Sequence, residues 1–245
     1  MRPDLRELSV LSLLESARCE LLLSWFWPRV IPQALLESAA RGAFGLHPSL
    51  LPRWRGADPY FWALRAGDAE SGVSLHRLEA TYDTGALLAQ RSLCIRPEEN
   101  AWQLARRLDR LSLAMLVDFV RGLHEGKCPE ATEQDPALAS DAPQPSAEEL
   151  SIVWDQPSET ILRLIRAAAP YPGAQTLLGE HEVEVLDATP APGPKILEPG
   201  QAYAGPEGIV VATRNGALLL KRVRRSDGEI VDPRSLFPSE EKARS

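Results

Sequence analysis

Between Glu20 and Phe26 the chain reads ELLLSWF, a short, almost continuously apolar run closed by Pro28. A run of this kind between breakers is how a strand buried on both faces looks, and such strands belong to parallel sheets covered by helices. The flanking residues fit that frame. Leu5, Leu8, Leu11, Leu13 and Leu14 recur at near-helical spacing over residues 4–18, with Glu7 and Arg18 on the other side. Ile31 to Arg41 is again helical, with Pro32 tolerated in its first turn. Ala43 to Leu46 is a second short buried strand, and Gly42 before it suits a helix C-cap. Strand, helix, strand is the unit of a parallel α/β sheet.

A polar, Pro/Arg-rich loop from His47 to Asp58 follows, then a short helix through Trp62 and Ala66. Strands are predicted at Gly72 to Glu79 and Ala86 to Ile95, and a long amphipathic helix at Asn100 to Gly126. Residues 129–146 are rich in Pro, Ala, Asp, Glu and Ser with almost no large apolar residue, which reads as a linker between a first domain at 1–128 and a second at 147–245. In the second, a helix near Ser158 to Ala169 precedes the turn Pro170-Tyr171-Pro172-Gly173. Short strands follow at Gln175 to Leu178, Glu182 to Leu186, Gly208 to Thr213 and Leu218 to Val223, a pattern that fits a small, OB-like barrel. Asn215-Gly216 predicts a type I′ hairpin turn.

The formal charge is −7, and from Asp141 onward 11 Lys and Arg stand against 16 Asp and Glu. A domain that grips nucleic acid normally offers a basic face. The candidate patch here, Lys221, Arg222, Arg224 and Arg225, reads as the solvent side of a strand. No apolar run approaches the length of a membrane span, and the N-terminus lacks the pattern of a signal peptide. Cys19, Cys94 and Cys128 lie far apart with no histidine at ligand spacing, which predicts reduced, metal-free thiols and a cytoplasmic protein.

His47 sits just after a predicted buried strand, where ligands bind in open α/β sheets. Asp83 lies in a later loop, Tyr82-Asp83-Thr84-Gly85. A histidine at a strand's C-terminal end and an aspartate in a facing loop form an acid/base pair, the carboxylate orienting the ring and raising its pKa.

Three motifs in order, HPSLLPRWRG at 47–56, GDAESGV at 67–73 and YDTGALL at 82–88, resemble the formyltransferases, the family of methionyl-tRNA formyltransferase, glycinamide ribonucleotide transformylase and the sugar N-formyltransferases. Ile152-Val153-Trp154, the helix Ile161 to Ala168 and Pro170-Tyr171-Pro172-Gly173-Ala174 look like that family's C-terminal domain. The resemblance runs from about Leu5 to Ser235. It implies a Rossmann-like catalytic domain followed by the small barrel, and formyl transfer from 10-formyltetrahydrofolate to an amine without a metal. By position, His47 would be the acid/base and oxyanion partner and Asp83 the group that keeps it poised. The folate pterin would lie against Val30, Ile31, Pro32 and the loop Leu78, Glu79, Ala80, Thr81 and Tyr82, read by backbone amides and carbonyls.

Three departures bear on activity. The family's asparagine two residues before the histidine, an oxyanion donor, is Gly45 here. The chain also starts at the helix before the family's fourth strand, so that Glu20 to Phe26 is expected as an open edge, covered by a second copy of the chain, a rearranged segment or an added peptide strand. Third, Tyr60-Phe61-Trp62 stand together, as core plus one exposed ring or as an aromatic wall for a ligand. Two readings follow: a folate-dependent N-formyltransferase acting on a small-molecule or peptide amine in specialised metabolism, or a degenerate relative that holds a peptide or a partner enzyme. The acidic second domain argues against tRNA as substrate.

Overall fold

The computed structural model describes residues 8–27, 29–192 and 197–237. Leu5, Glu7 and Pro28, used in the sequence reading, lie outside them. Two compact units emerge: residues 1–62, 69–95 and 104–144 form the first, and 63–68, 96–103 and 145–245 the second.

The first unit carries a four-stranded sheet in the order β1 (Leu22–Trp25), β2 (Ala43–His47), β3 (Glu70–Arg77), β4 (Leu87–Cys94), with helices α1 (Leu8–Ser16) and α2 (Gln33–Ser38) flanking β1. The α/β class is as expected, but the sheet is mixed. Only β1 and β2 run parallel, Leu22 opposite Ala43 and Trp25 opposite Leu46. The pairs β2–β3 and β3–β4 are antiparallel. The physical reason for the second is the short connection 78–86, which can join neighbouring strands only antiparallel. Nor is β1 buried on both faces: Leu23 and Trp25, which share one face, are exposed, and among the described residues β1 pairs with β2 alone, at the sheet's edge.

The core is carried by β2, β3 and α4 (Ala101–His124). On α4 the residues Leu104, Leu108, Ser112, Met115 and Phe119 fall on one helical stripe and are buried. Phe119 meets Phe44 of β2 edge to face at 4.9 Å, and the indole N–H of Trp25 donates to Ser112 Oγ at 2.8 Å. Of the three neighbouring aromatics, Phe61 is in the core and Trp62 stacks on Trp54, both from α3 (Pro59–Ala66) or the loop before it.

The stretch 129–146, in which Leu138 is the one large apolar residue, is held by backbone bonds. Thr132 and Leu87 exchange two hydrogen bonds at 2.8 Å, and Arg55 pairs with Ser140 and Ala142.

In the second unit, α5 (Ala147–Leu150) and α6 (Ser158–Ala168) accompany an antiparallel six-stranded sheet: β5 (Ala174–Leu178), β6 (His181–Ala191), β9 (Gly216–Arg225), β8 (Gly208–Thr213) and β7 (Ala202–Gly205), with β10 (Ile230–Val231) added to β9. Ile161, Leu164, Ile165 and Ala168 of α6 are buried, with Val185, Ile209, Val211 and Leu218 of the sheet. The β8–β9 hairpin forms, but its two loop residues are Arg214 and Asn215, and neither Asn215 nor Gly216 has a positive φ, so the I′ expectation fails. Asn215 is otherwise engaged: its side-chain oxygen accepts from the Ser158 N–H at the start of α6.

Candidate active site

β2 ends on His47, and the loop beyond it is fastened to β3 and β4. Ser74 Oγ, fully buried on β3, donates to Ser49 O at 2.7 Å and accepts from Leu51 N and the Gln90 amide. Ser49 Oγ closes the turn on Arg53 O. A buried polar group left unpaired costs about 1–3 kcal/mol, so this closed network fixes the loop's path. The loop in turn fixes the histidine: Trp54 O, carried on a left-handed residue (φ 61°), accepts from the imidazole at Nε2, 2.8 Å away.

Asp83 is also left-handed, with φ 53°, a conformation that aspartate tolerates better than most residues. Its turn is clasped from outside by Gln134, whose amide donates to Asp83 O at 2.8 Å and Gly85 O at 2.7 Å while Arg55 holds the Gln134 oxygen. Gly56 N–H donates to Asp83 Oδ2 at 3.0 Å. So placed, Oδ2 stands 3.4 Å from His47 Nδ1.

The other oxygen, Oδ1, stands 3.6 Å from Nε2 of a second buried histidine, His76, on β3. His76 Nδ1 is 2.7 Å from Arg77 O. Both rings therefore give their N–H to a backbone carbonyl when neutral and turn a lone pair toward the carboxylate. Burial pushes both imidazoles below their ordinary pKa, and the pull of Asp83 offsets this only in part. The expectation of a raised pKa is thus reversed, because desolvation outweighs the ion pair. The result is a base kept neutral at neutral pH beside a carboxylate that stabilises it once protonated.

These groups open on a cavity of about 170 Å³ lined by Gly45, His47, His76 and Asp83. Val30, Ile31, Leu78, Glu79, Thr81 and Tyr82 line it as well, whereas Pro32 and Ala80 do not. Pro32 instead stands at the N-terminus of α2, where its carbonyl accepts from Leu35 and Leu36, and Ala80 lines a separate shallow depression with Gln33 and Arg77. Tyr60 completes the wall, which places one of the three aromatics at the cavity. Trp27 is another lining residue, and its indole Nε1 is buried without a hydrogen-bond partner. An apolar wall with one orphaned donor suits a flat ring system carrying acceptor atoms, as a pterin is. Among the described residues no group of His, Cys, Asp and Glu could hold a metal ion.

Reasoning from sequence missed His76 and Gln134. The signal for His76 is faint: it falls in the strand alternation with Gly72 and Ser74, but its register against β2 is not written in the sequence. Gln134 lies in the linker-like stretch and carries no signal.

A buried imidazole–carboxylate cluster thus stands at the end of an α/β strand, facing a small half-apolar cavity, an arrangement able to take up and return a proton. The chain belongs to the formyltransferase family: its residues 2–120 match the Formyl transferase profile and residues 145–240 the Formyl transferase, C-terminal domain profile. Among its relatives, methionyl-tRNA formyltransferase of Roseobacter denitrificans is 40% identical over 197 residues, covering 80% of this chain and 62% of the relative. That of Pseudomonas fluorescens (strain Pf-5) is 34% identical over 238 residues, covering 97% and 74%. In fold the chain is similar to HypX from Aquifex aeolicus in complex with tetrahydrofolic acid, with a TM-score of 0.74 at 22% identity, over 92% of this chain and 40% of that one. The chain thus spans about three fifths of the first of these relatives.

These relatives overturn the expectation that tRNA is not a partner. Net charge is a property of the whole surface, whereas phosphates are met locally. In the basic cluster Arg224 and Arg225 are paired with acids, Arg224 with Glu184 and Arg225 with Asp227 and Glu229, while Lys221 and Arg222 are exposed. No helix among the described residues is long and apolar enough to cross a membrane.

Proposed function

We propose that this chain transfers a formyl group from 10-formyltetrahydrofolate to an amine, and that the amine is that of methionyl-tRNA. The observation that carries the reading is His47 at the wall of the cavity with its Nδ1 3.4 Å from Asp83 Oδ2. The acceptor comes from the relatives, which act on methionyl-tRNA by name.

The folate donor supplies the carbonyl carbon and the nitrogen to which it is attached. Trp27 Nε1 and the apolar residues Val30, Ile31 and Leu78 would hold its ring. His47 takes up a proton as the amine loses it, and Asp83 stabilises the imidazolium that results. Tyr60 and Tyr82 add aromatic lining to the same cavity.

The test is transfer of labelled formyl from 10-formyltetrahydrofolate to methionyl-tRNA. Wild type should form N-formylmethionyl-tRNA, and His47→Ala should lower kcat by about 10²-fold or more with the fold intact by circular dichroism. Wild-type turnover in His47→Ala would contradict the assignment. The second reading, a binding protein without transfer, is favoured by Gly45. Such a protein holds a peptide or a partner enzyme instead, and the reading predicts no labelled product.

A further inference from the structure

Gly45 and His76 are direct partners across the β2–β3 ladder, so whatever stands at 45 shares a face with the ring of His76. A Cβ on Gly45 would lie 3.0 Å from His76 Nε2 and 2.7 Å from Leu78 Cδ2. The space over Gly45 is therefore filled by the histidine and the leucine. β4 carries an extra residue, Leu88, opposite the step from Leu75 to His76, and irregularities of this kind re-aim side chains beside functional sites.

His76 is nearly inaccessible, lines the same cavity as His47 and Asp83, and has its Nδ1 fixed by Arg77 O. That leaves Nε2 directed at Asp83 Oδ1. His47 approaches the other oxygen of the same carboxylate. Two imidazoles from neighbouring strands thus converge on one carboxylate; among the described residues Glu79, just beyond β3, is a further charged neighbour of His76, and Arg29 lines the same cavity.

We propose that His76 is a second proton-carrying imidazole of the site, sharing Asp83 with His47 so that one added proton is held between the two rings. The inference rests on the formyl-transfer reading. When a formyl group passes between nitrogens, an N–C bond forms at the acceptor and one breaks at the donor. The acceptor nitrogen loses one proton and the donor nitrogen gains one. With two rings on one carboxylate, the pair takes up the acceptor's proton, holds it between the rings, and gives that same proton to the donor nitrogen, so that both imidazoles are neutral at the end as at the start. The absence of a side chain at Gly45 is what lets His76 stand there.

Two measurements test this. The first is an NMR pH titration of the imidazole resonances of the unliganded protein. Replacing His76 by Gln removes the like charge from the shared carboxylate, and His47 should then titrate as a single site at higher pH than in wild type. An unmoved His47 titration would overturn the shared proton, whether or not formyl transfer is the activity. The second compares His76→Ala and His76→Gln in the transfer assay, with 5-formyltetrahydrofolate binding followed by calorimetry. Both variants should bind the folate within about threefold of wild type but lose on the order of 10²-fold in kcat. Added imidazole should restore part of the turnover of His76→Ala. Wild-type kcat in His76→Gln, or a loss explained by lost folate binding and not rescued by imidazole, would assign His76 to packing alone. Wild type that forms no product while the His47 titration moves as expected would instead sink the transfer reading.

Discussion

Asp83 does three things with one short side chain: it accepts the Gly56 N–H, faces His47 and faces His76. The left-handed backbone at 83 is the cost of that placement, and Gln134 and Arg55 hold it there. Asp83→Asn keeps an oxygen for Gly56 but removes the charge that stabilises an imidazolium. Its kcat should fall by about 10²-fold with folate affinity nearly unchanged, as steady-state kinetics and calorimetry will show. The lowered imidazole pKa values also make a stability prediction. Below pH about 6.5 the unfolded chain binds protons at His47 and His76 that the folded protein refuses. Stability should therefore fall as pH drops through and below that value, by up to ~1.4 kcal/mol per pH unit for each ring, and gain no slope from them above it. Urea unfolding at pH 5.5 and 7.5, in wild type and His76→Gln, measures this; an unchanged pH dependence in the variant would contradict it. His47 and Asp83 were legible because their flanking motifs are distinctive. Their electrostatics were not, because burial, which decides the sign, is a property of the folded chain.

At the scale of elements, the strands and long helix were readable from apolar periodicity, as α4 illustrates with its buried stripe from Leu104 to Phe119. Strand direction was not. ELLLSWF looks like a central strand from its composition, yet alternation of exposure along β1 follows from what packs on each of its faces, and that packing is non-local. The same limit hid His76, whose partner at Gly45 is set by register. The stretch 129–146 shows the opposite failure. Composition reads it as a linker, but Ala142 and Gln134 within it are buried, and backbone and amide hydrogen bonds fasten it to the Asp83 turn. Gln134→Ala removes the donor to two carbonyls and the acceptor for Arg55. It should destabilise by about 1–3 kcal/mol in urea unfolding and lower kcat with it. A silent substitution would mean that the turn holds itself.

For the whole molecule, the family and the two-part organisation stand on matches to both halves of the chain. Overall acidity misled on the partner, since a charge of −7 coexists with exposed Lys221 and Arg222 on β9. The central claim is that the cavity beside His47, His76 and Asp83 takes a formyl-bearing folate. Calorimetric titration of this chain with 5-formyltetrahydrofolate tests it most directly. The account predicts saturable one-to-one binding that survives His47→Ala and His76→Gln; no detectable binding at millimolar folate would contradict it.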